Sequence, residues 1–320
     1  MDEKNVKVFC RFRPINHLET LNKSYSVIEI LDKNTVFVKR EKGETGKGTK
    51  GDGELRFDFD AIFPESSTQE EVYDSVGRPL LEEVLKGYNA TIFAYGQSGS
   101  GKTTTMSGYA QAVDNPEVLS GNTDLWSSQN QMGITPRMIK DLFEVIKTRR
   151  DFQYVIQMSY VEIYLEKIRD LLSPINDNLE IRESRFNGLW IEDVTELFIT
   201  SFNEAVKIMK KGELNRTVDS TLMNDHSSRS HSLLIINLTQ TNLKKKSKTI
   251  SRMVFVDLAG SEKIDKTKAE GLLLKQAQFT NKSLLNLGIV IRALLDKQPH
   301  IPYRDSKLTR LLTDSLAGNS

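Results

Sequence analysis

A chain of 320 residues, 38% hydrophobic and 27% charged, can bury one large core or two average ones, which excludes a disordered or fibrous chain. A formal net charge of +1 excludes any global pull toward nucleic acid or membrane, so a basic site must be local. The single Cys10 excludes an intrachain disulfide; with a charged start (Asp2, Glu3, Lys4) and no apolar run of membrane-spanning length, the chain reads as soluble and intracellular.

Val6–Phe12 alternates in polarity and predicts a strand ended by Pro14. Lys39–Gly53, rich in Gly, Lys and Glu, has no apolar face to bury and predicts a surface loop. Ser67-Thr68-Gln69-Glu70 is a capping-box pattern opening a helix that runs through Val72, Tyr73, Val76, Leu80 and Val84 to Gly87. Thr91–Tyr95 is short and wholly apolar, as a parallel strand buried on both faces would be. Tyr109–Gln131 is a long polar loop holding Trp126, and Thr135-Pro136 predicts a helix with proline at its first position. Strands are expected at Tyr154–Tyr164, Ser232–Thr241 and Met253–Val256, the last two joined by a solvated turn at Lys244-Lys245-Lys246. Ser201 and Glu204 box a helix ending near Gly212, and further helices cover Ala269–Leu295 and Ser306–Leu316. Alternating strands and helices indicate an α/β domain with a largely parallel or mixed sheet.

Chemistry enters at Gly96-Gln97-Ser98-Gly99-Ser100-Gly101-Lys102-Thr103, which fits G-x-x-x-x-G-K-[ST] directly after the apolar strand. Glycines let the backbone wrap a phosphate chain with its N–H groups inward. Lys102 should reach the β and γ phosphates, and the Thr103 hydroxyl should bind Mg²⁺. A second apolar strand, Met253–Val256, runs into Asp257-Leu258-Ala259-Gly260-Ser261-Glu262. Asp257 at a strand's C-terminal end can orient the metal's water shell, and Gly260 can offer its N–H to a γ-phosphate with no side chain in the way. Asn224-Asp225-His226-Ser227-Ser228-Arg229-Ser230-His231 has the composition of a loop that closes over Mg²⁺ and phosphate; His231 itself reads as a satisfied structural histidine.

NDHSSRSH paired with DLAGSE resembles kinesin. So do Phe9–Pro14, Gly87–Gly96, Asn281-Lys282-Ser283-Leu284 and Tyr303–Arg310, in the family's order along nearly the whole chain. The resemblance implies a P-loop NTPase-type kinesin motor fold, a central mostly parallel or mixed sheet with helices on both faces. It implies one motor domain over residues 1–320, with ATP and Mg²⁺ as ligands. Arg11, Arg13 and Pro14 would border the adenine, beside the loop Gly96, Gln97, Ser98, Gly99, Ser100, Gly101, Lys102, Thr103 and its neighbour Thr104. Thr104 stands where transport kinesins often carry a stacking histidine, which removes one contact. Thr103, Ser228 and Asp257 would serve the metal; Ser228, Arg229, Gly260 and Glu262 would form the catalytic gate, closed by an Arg229–Glu262 salt bridge. GTP is disfavoured, because Asn281-Lys282-Ser283-Leu284 has leucine where a guanine-reading Asn-Lys-x-Asp signature needs aspartate.

Between Lys263 and Arg310 ten basic residues face four acidic ones, a local excess of +6. By resemblance this segment faces the acidic microtubule surface, with Lys263, Lys266, Lys268, Lys307 and Arg310 as principal contacts and Lys275 and Arg304 as further ones. The expected activity is a microtubule-stimulated motor ATPase; a non-motile, nucleotide-regulated microtubule-binding protein and a depolymerase are the alternatives. The expected place is the cytoplasm and its microtubule cytoskeleton, the spindle included. No nucleic acid or membrane contact is expected of the domain, and any oligomerisation would run through regions beyond Ser320. Kinesin motor domains continue with one more strand, a helix and a neck linker, so a longer natural chain is expected.

Overall fold

The computed structural model describes residues 6–39, 55–108, 131–184, 188–222, 226–262 and 272–317. The expected loops at Lys39–Gly53 and Tyr109–Gln131 therefore lie almost wholly outside the described residues, Trp126 included. The chain divides into two compact units, Met1–Val72 and Tyr73–Ser320.

In the first unit the elements are β1 (Phe9–Arg11), α1 (His17–Leu21), β2 (Ile28–Ile30), β3 (Thr35–Val38), β4 (Leu55–Asp58) and β5 (Ala61–Phe63). β1 pairs in parallel with β5, while β2, β3 and β4 form an antiparallel meander. Asn16 caps α1 through a box with Glu19, satisfying N–H groups that a helix start leaves open. The helix α2 (Gln69–Lys86) spans the junction between the units. Its box is Thr68 with Glu71, one residue later than expected: the Thr68 N–H donates to Glu71 at 2.7 Å and the Glu71 N–H to the Thr68 hydroxyl at 3.2 Å. Ser67 is instead spent on a turn, donating its N–H to the Pro64 carbonyl.

The second unit continues with β6 (Ala90–Ala94), α3 (Lys102–Met106), α4 (Ile134–Thr148), β7 (Phe152–Tyr164), β8 (Lys167–Asp170), β9 (Ile181–Ser184), β10 (Gly188–Ile191) and β11 (Leu197–Phe198). Then come α5 (Phe202–Leu222), β12 (His231–Asn242), β13 (Ser247–Asp257), α6 (Leu272–Leu295), α7 (Lys307–Leu311) and α8 (Thr313–Ala317). The main sheet runs β11-β7-β12-β13-β6, with β8 on β7. It is mixed: β12 runs antiparallel to both of its neighbours, β7 and β13, and β6 joins β13 in parallel.

Alternation along the long strands divides the core in two. Val161 and Ile163, Leu233, and Val254 and Val256 pack with Leu287 of α6 and Leu308 and Leu311 of α7. The opposite parity carries Met158 and Tyr160, Leu234, Ile236 and Leu238, and Met253 and Phe255, all buried, and faces the side on which α5 meets β7. Helices thus flank both faces.

Three further helix boundaries differ from expectation. Pro136 occupies the third position of α4, after the N-cap Gly133, where its missing N–H still costs nothing because the whole first turn lacks intrahelical partners. The helix expected from Ser306 to Leu316 is two short ones: Thr309 and Thr313 turn their hydroxyls onto backbone carbonyls around the break at Leu312. Most consequential, α5 does not stop at Gly212 but runs on to Leu222. Gly212 is there for packing, since a Cβ would lie 2.1 Å from Cδ1 of the buried Tyr160 ring.

Gly212→Ala is expected to destabilise the fold by up to about 2 kcal/mol, because overpacking of about 1–3 kcal/mol opposes the roughly 1 kcal/mol of helix propensity gained. A lowered urea midpoint checks this, and a raised one refutes the packing role.

Candidate nucleotide site

The register of the sheet brings three loops together. Ala94, Asp257 and Ser232 lie side by side across β6, β13 and β12. The glycine-rich loop leaves β6 just after Ala94, the Asp257–Glu262 segment leaves β13, and the segment around Ser228 and Arg229 leads into β12. In the glycine-rich loop the chain needs left-handed backbone at Gly99 (φ +76°) and Gly101 (φ +93°), which a side chain would strain. Lys102 folds its amine back onto the carbonyls of Gly96 and Gln97, both at 2.9 Å. Burial pushes the Lys102 pKa down, against the opposing pull of Asp257 and Glu262.

Asp257 is buried at the mouth of the sheet and accepts from the Thr103 hydroxyl at 2.6 Å. Behind it sits Arg216 of α5, 6% exposed, with a nitrogen 3.5 Å from the same carboxylate oxygen. Arg216 also donates to the Ser232 hydroxyl at 3.1 Å and to the Ser230 carbonyl at 3.3 Å, and lies 3.7 Å from the fully buried Glu162. Burial opposes its charge, but Asp257 and then Glu213 outweigh this and hold the guanidinium above its ordinary pKa. The other oxygen of Asp257 is buried with no hydrogen-bond partner among the described residues. An orphaned carboxylate oxygen next to a threonine hydroxyl is a hard-oxygen donor set, and it fits Mg²⁺.

The Asp257–Glu262 segment, the second of two switch loops in this site with the one around Ser228 and Arg229, is stitched to both other loops. The Gly260 N–H donates to the Ser228 carbonyl at 2.7 Å, and the Ser261 N–H to the Gly96 carbonyl at 3.1 Å. A Cβ on Gly260 would sit 2.4–2.5 Å from the Glu262 carboxylate and the Ser98 hydroxyl, the ends of two side chains, so it would have to push that pair aside. Glu262 accepts from the Ser98 N–H at 2.8 Å and its hydroxyl at 2.5 Å. Burial raises the Glu262 pKa, yet those two bonds and the nearby Lys102 leave it below the usual carboxylate value. The carboxylate expected to pair with Arg229 is thus engaged by the phosphate loop in this structure. Ser228 and Arg229 sit half-buried in a 3₁₀ turn, His226–Arg229.

Arg11 and Arg13 belong to the first unit, where Arg11 donates to Gln69 at 2.8 Å and Arg13 pairs with Glu19 at 2.5 Å and donates to the Pro14 carbonyl. Thr104 lies half-buried on α3. Of the basic residues expected at the track, Lys263, Lys266 and Lys268 lie outside the described residues, as does the side chain of Lys275. Arg304 pairs with Glu183 at 3.1 Å and Lys307 with Glu180 at 2.8 Å, so both are tied to the segment around β9; Arg310 lies on α7. Sequence reasoning missed Arg216 because it ended α5 near Gly212, four residues before Arg216 and ten before the helix stops. The signal it could have used was the helical spacing that continues past Gly212.

A phosphate-type loop on a parallel strand, with a metal-suited aspartate on the neighbouring strand and two loops bonded across it, defines a nucleoside-triphosphate-binding α/β domain. The family model described as the kinesin motor domain matches residues 11–320. Kinesin-related protein 3 of Dictyostelium discoideum is 42% identical over 318 residues, covering 99% of this chain and 25% of that protein. The kinesin heavy chain of Syncephalastrum racemosum is 40% identical over 322 residues, covering 100% of this chain and 32% of that one. A solved fast kinesin, described in connection with ATPase mechanism and interactions with microtubules, superposes with a TM-score of 0.85 at 38% identity, covering 98% of this chain and 82% of that one. The chain belongs to the kinesin motor domain family. It spans a quarter to a third of the length of the curated relatives it matches.

His231, 2% exposed, has both ring nitrogens bonded, and its pKa is pushed down to about 3 by burial and then by the charges of Arg216 and Lys102. The unfolded chain takes up this proton as pH falls through about 6.5 while the folded chain refuses it, so the stability carried by neutral His231 is complete above that pH and lost from there down toward 3. His231→Asn is expected to lose stability less steeply than the parent between pH 7 and 5, read from urea midpoints; parallel curves refute the assignment.

Proposed function

We propose that the chain is the ATP-hydrolysing engine of a microtubule motor, with the bonded switch loops as its phosphate sensor. The observation that carries this reading is the Gly260 N–H on the Ser228 carbonyl, at a position where a Cβ would displace the Glu262–Ser98 pair. One amide there can respond to a γ-phosphate and pull both switches with it.

In this reading the loop Gly96–Thr103 cradles the phosphates, Lys102 exchanges its own carbonyl partners for β- and γ-phosphate oxygens, and Arg11, Arg13 and Pro14 border the adenine. Mg²⁺ would be held by Thr103 and Ser228 and, through its waters, by Asp257, and would neutralise phosphate charge. Glu262 leaves Ser98 when the loop N–H groups turn to phosphate, and pairs with Arg229 to close the site around the attacking water. The track contacts are Lys263, Lys266, Lys268, Lys275, Arg304, Lys307 and Arg310, with Arg304 and Lys307 exchanging Glu183 and Glu180 for acidic tubulin residues. The protein then works on the microtubule cytoskeleton.

The deciding measurement is ATP turnover with and without microtubules. Turnover is expected to rise by about tenfold or more on the track, an allosteric coupling of at least about 1.4 kcal/mol on the barrier. Turnover that microtubules leave unchanged, with co-sedimentation intact, would sink the motor reading and favour a nucleotide-regulated binding protein. Gly260→Ala is expected to bind ATP normally but to hydrolyse it at least about tenfold more slowly, since the methyl displaces Glu262 and blocks the switch. A normal single-turnover rate would remove Gly260 from the sensor.

A further inference from the structure

The phosphate sensor must reach something outside the site if it is to do mechanical work, and the described residues hold one buried side chain that makes the link. His231 is the first residue of β12. Its Nδ1 lies 3.0 Å from the Ala259 backbone N–H, and its Nε2 lies 2.6 Å from the Ser283 hydroxyl in α6. A backbone N–H can only donate, so Nδ1 is the acceptor, and the proton of a neutral ring must then sit on Nε2. The ring therefore donates to Ser283, and its two bonds have fixed, opposite polarity. Ala259 directly precedes Gly260, whose own N–H holds the Ser228 carbonyl. Three bonds thus join residues 228, 231, 259, 260 and 283.

We propose that His231 is a positioning residue that transmits the state of the Ala259–Gly260 segment to α6 through Ser283. The inference rests on the motor reading for its purpose, but not for its test. A peptide shift at Ala259 lengthens or bends the N–H to Nδ1 bond. The imidazole is rigid and planar, so its far nitrogen moves with the near one, and Ser283 must follow or lose its donor. The pocket is closed: His231 and Ser283 are each about 2% exposed, so water cannot take over either bond without the helix moving. Both ring nitrogens are taken up by Ala259 and Ser283, and Ser283 lies on α6, outside the three loops of the site. A leucine or phenylalanine at 231 would fill the space as well; only a group with one acceptor and one donor on opposite edges connects the two elements.

The test uses the chain itself, in ADP and in a non-hydrolysable ATP analogue, with hydrogen–deuterium exchange read separately for the α6 peptide and the phosphate-loop peptide. Both peptides of the parent are expected to differ between the two nucleotides. In Ser283→Ala the phosphate-loop difference is retained while the α6 difference shrinks by about threefold or more, the mark of lost coupling and not of lost binding. His231→Asn, whose side-chain oxygen can take the place of Nδ1 but cannot reach Ser283, is expected to do the same. Basal hydrolysis of Ser283→Ala stays within about twofold of the parent, because the bond acts after the sensor. An α6 difference that survives in both variants overturns the proposal, as does a parent in which α6 never responds to nucleotide. These readouts need no microtubule: a parent whose α6 responds while its turnover ignores the track refutes the motor reading and leaves the relay standing.

Discussion

The site depends on a single register, Ser232 opposite Asp257 opposite Ala94. Side chains alternate with a period of two along a strand, so a slip by one residue would turn Asp257 into the core and carry an apolar neighbour to the loop mouth. That register is held from far away. β12 pairs with β13 along its whole length, from Ser232 to Asn242, and with β7 from His231 to Asn242, so the buried ladder on both sides resists slippage. The alternating core residues reinforce it, because Leu233 and Leu234 must enter opposite cores. The chemistry sits on the ends of strands whose middles are fixed by packing.

Burying Arg216, Asp257 and Glu162 together is expensive, and the arrangement is not a stability device. Arg169 approaches the other oxygen of Glu162 at 3.8 Å, so the charges are paired but only at long range, and one Asp257 oxygen has no hydrogen-bond partner among the described residues. Replacing such a cluster by packed apolar groups would often stabilise a protein. Its presence at the mouth of the sheet is better understood as preorganised electrostatics: Arg216 and Thr103 fix one oxygen of Asp257 and leave the other aimed by default. The unpartnered Asp257 oxygen beside the Thr103 hydroxyl is the physical reason that a divalent cation suits this place. Burial first, and then the charges of Arg216 and Lys102, keep the His231 ring neutral and so preserve its donor and acceptor edges.

Much of this was legible in the sequence, and for identifiable reasons. The phosphate loop and the Asp257–Glu262 segment could be read because backbone wrapping demands glycine and metal chemistry demands particular oxygens, and neither demand depends on distant packing. The long strands were legible from their apolar runs, and the turn at Lys244–Lys246 from its charge. Less was visible where a residue has two uses. Glycine ends helices, so Gly212 looked like a terminus, but here it makes room for the Tyr160 ring. Arg216 went unread with the rest of α5. Ser67 and Thr68 can both cap, and the choice was made by a turn to Pro64 that no local pattern announces. The short strands β2 to β5 carry three or four residues each, too few for alternation to register.

Glu262 shows how such a site can change partners without changing its fold. Its carboxylate lies on the Ser98 N–H and hydroxyl, donors of the kind that a phosphate oxygen also seeks. Gly260 sits between them with no side chain, so the segment can move past Ser98 without a steric barrier. Anything anionic that takes the loop N–H groups therefore competes with Glu262 directly, and the segment it releases begins at the residue bonded to His231. Occupancy of the loop, the position of Gly260 and the bond to α6 become one linked equilibrium, in which each bond made at one end must be balanced by a bond exchanged at the other.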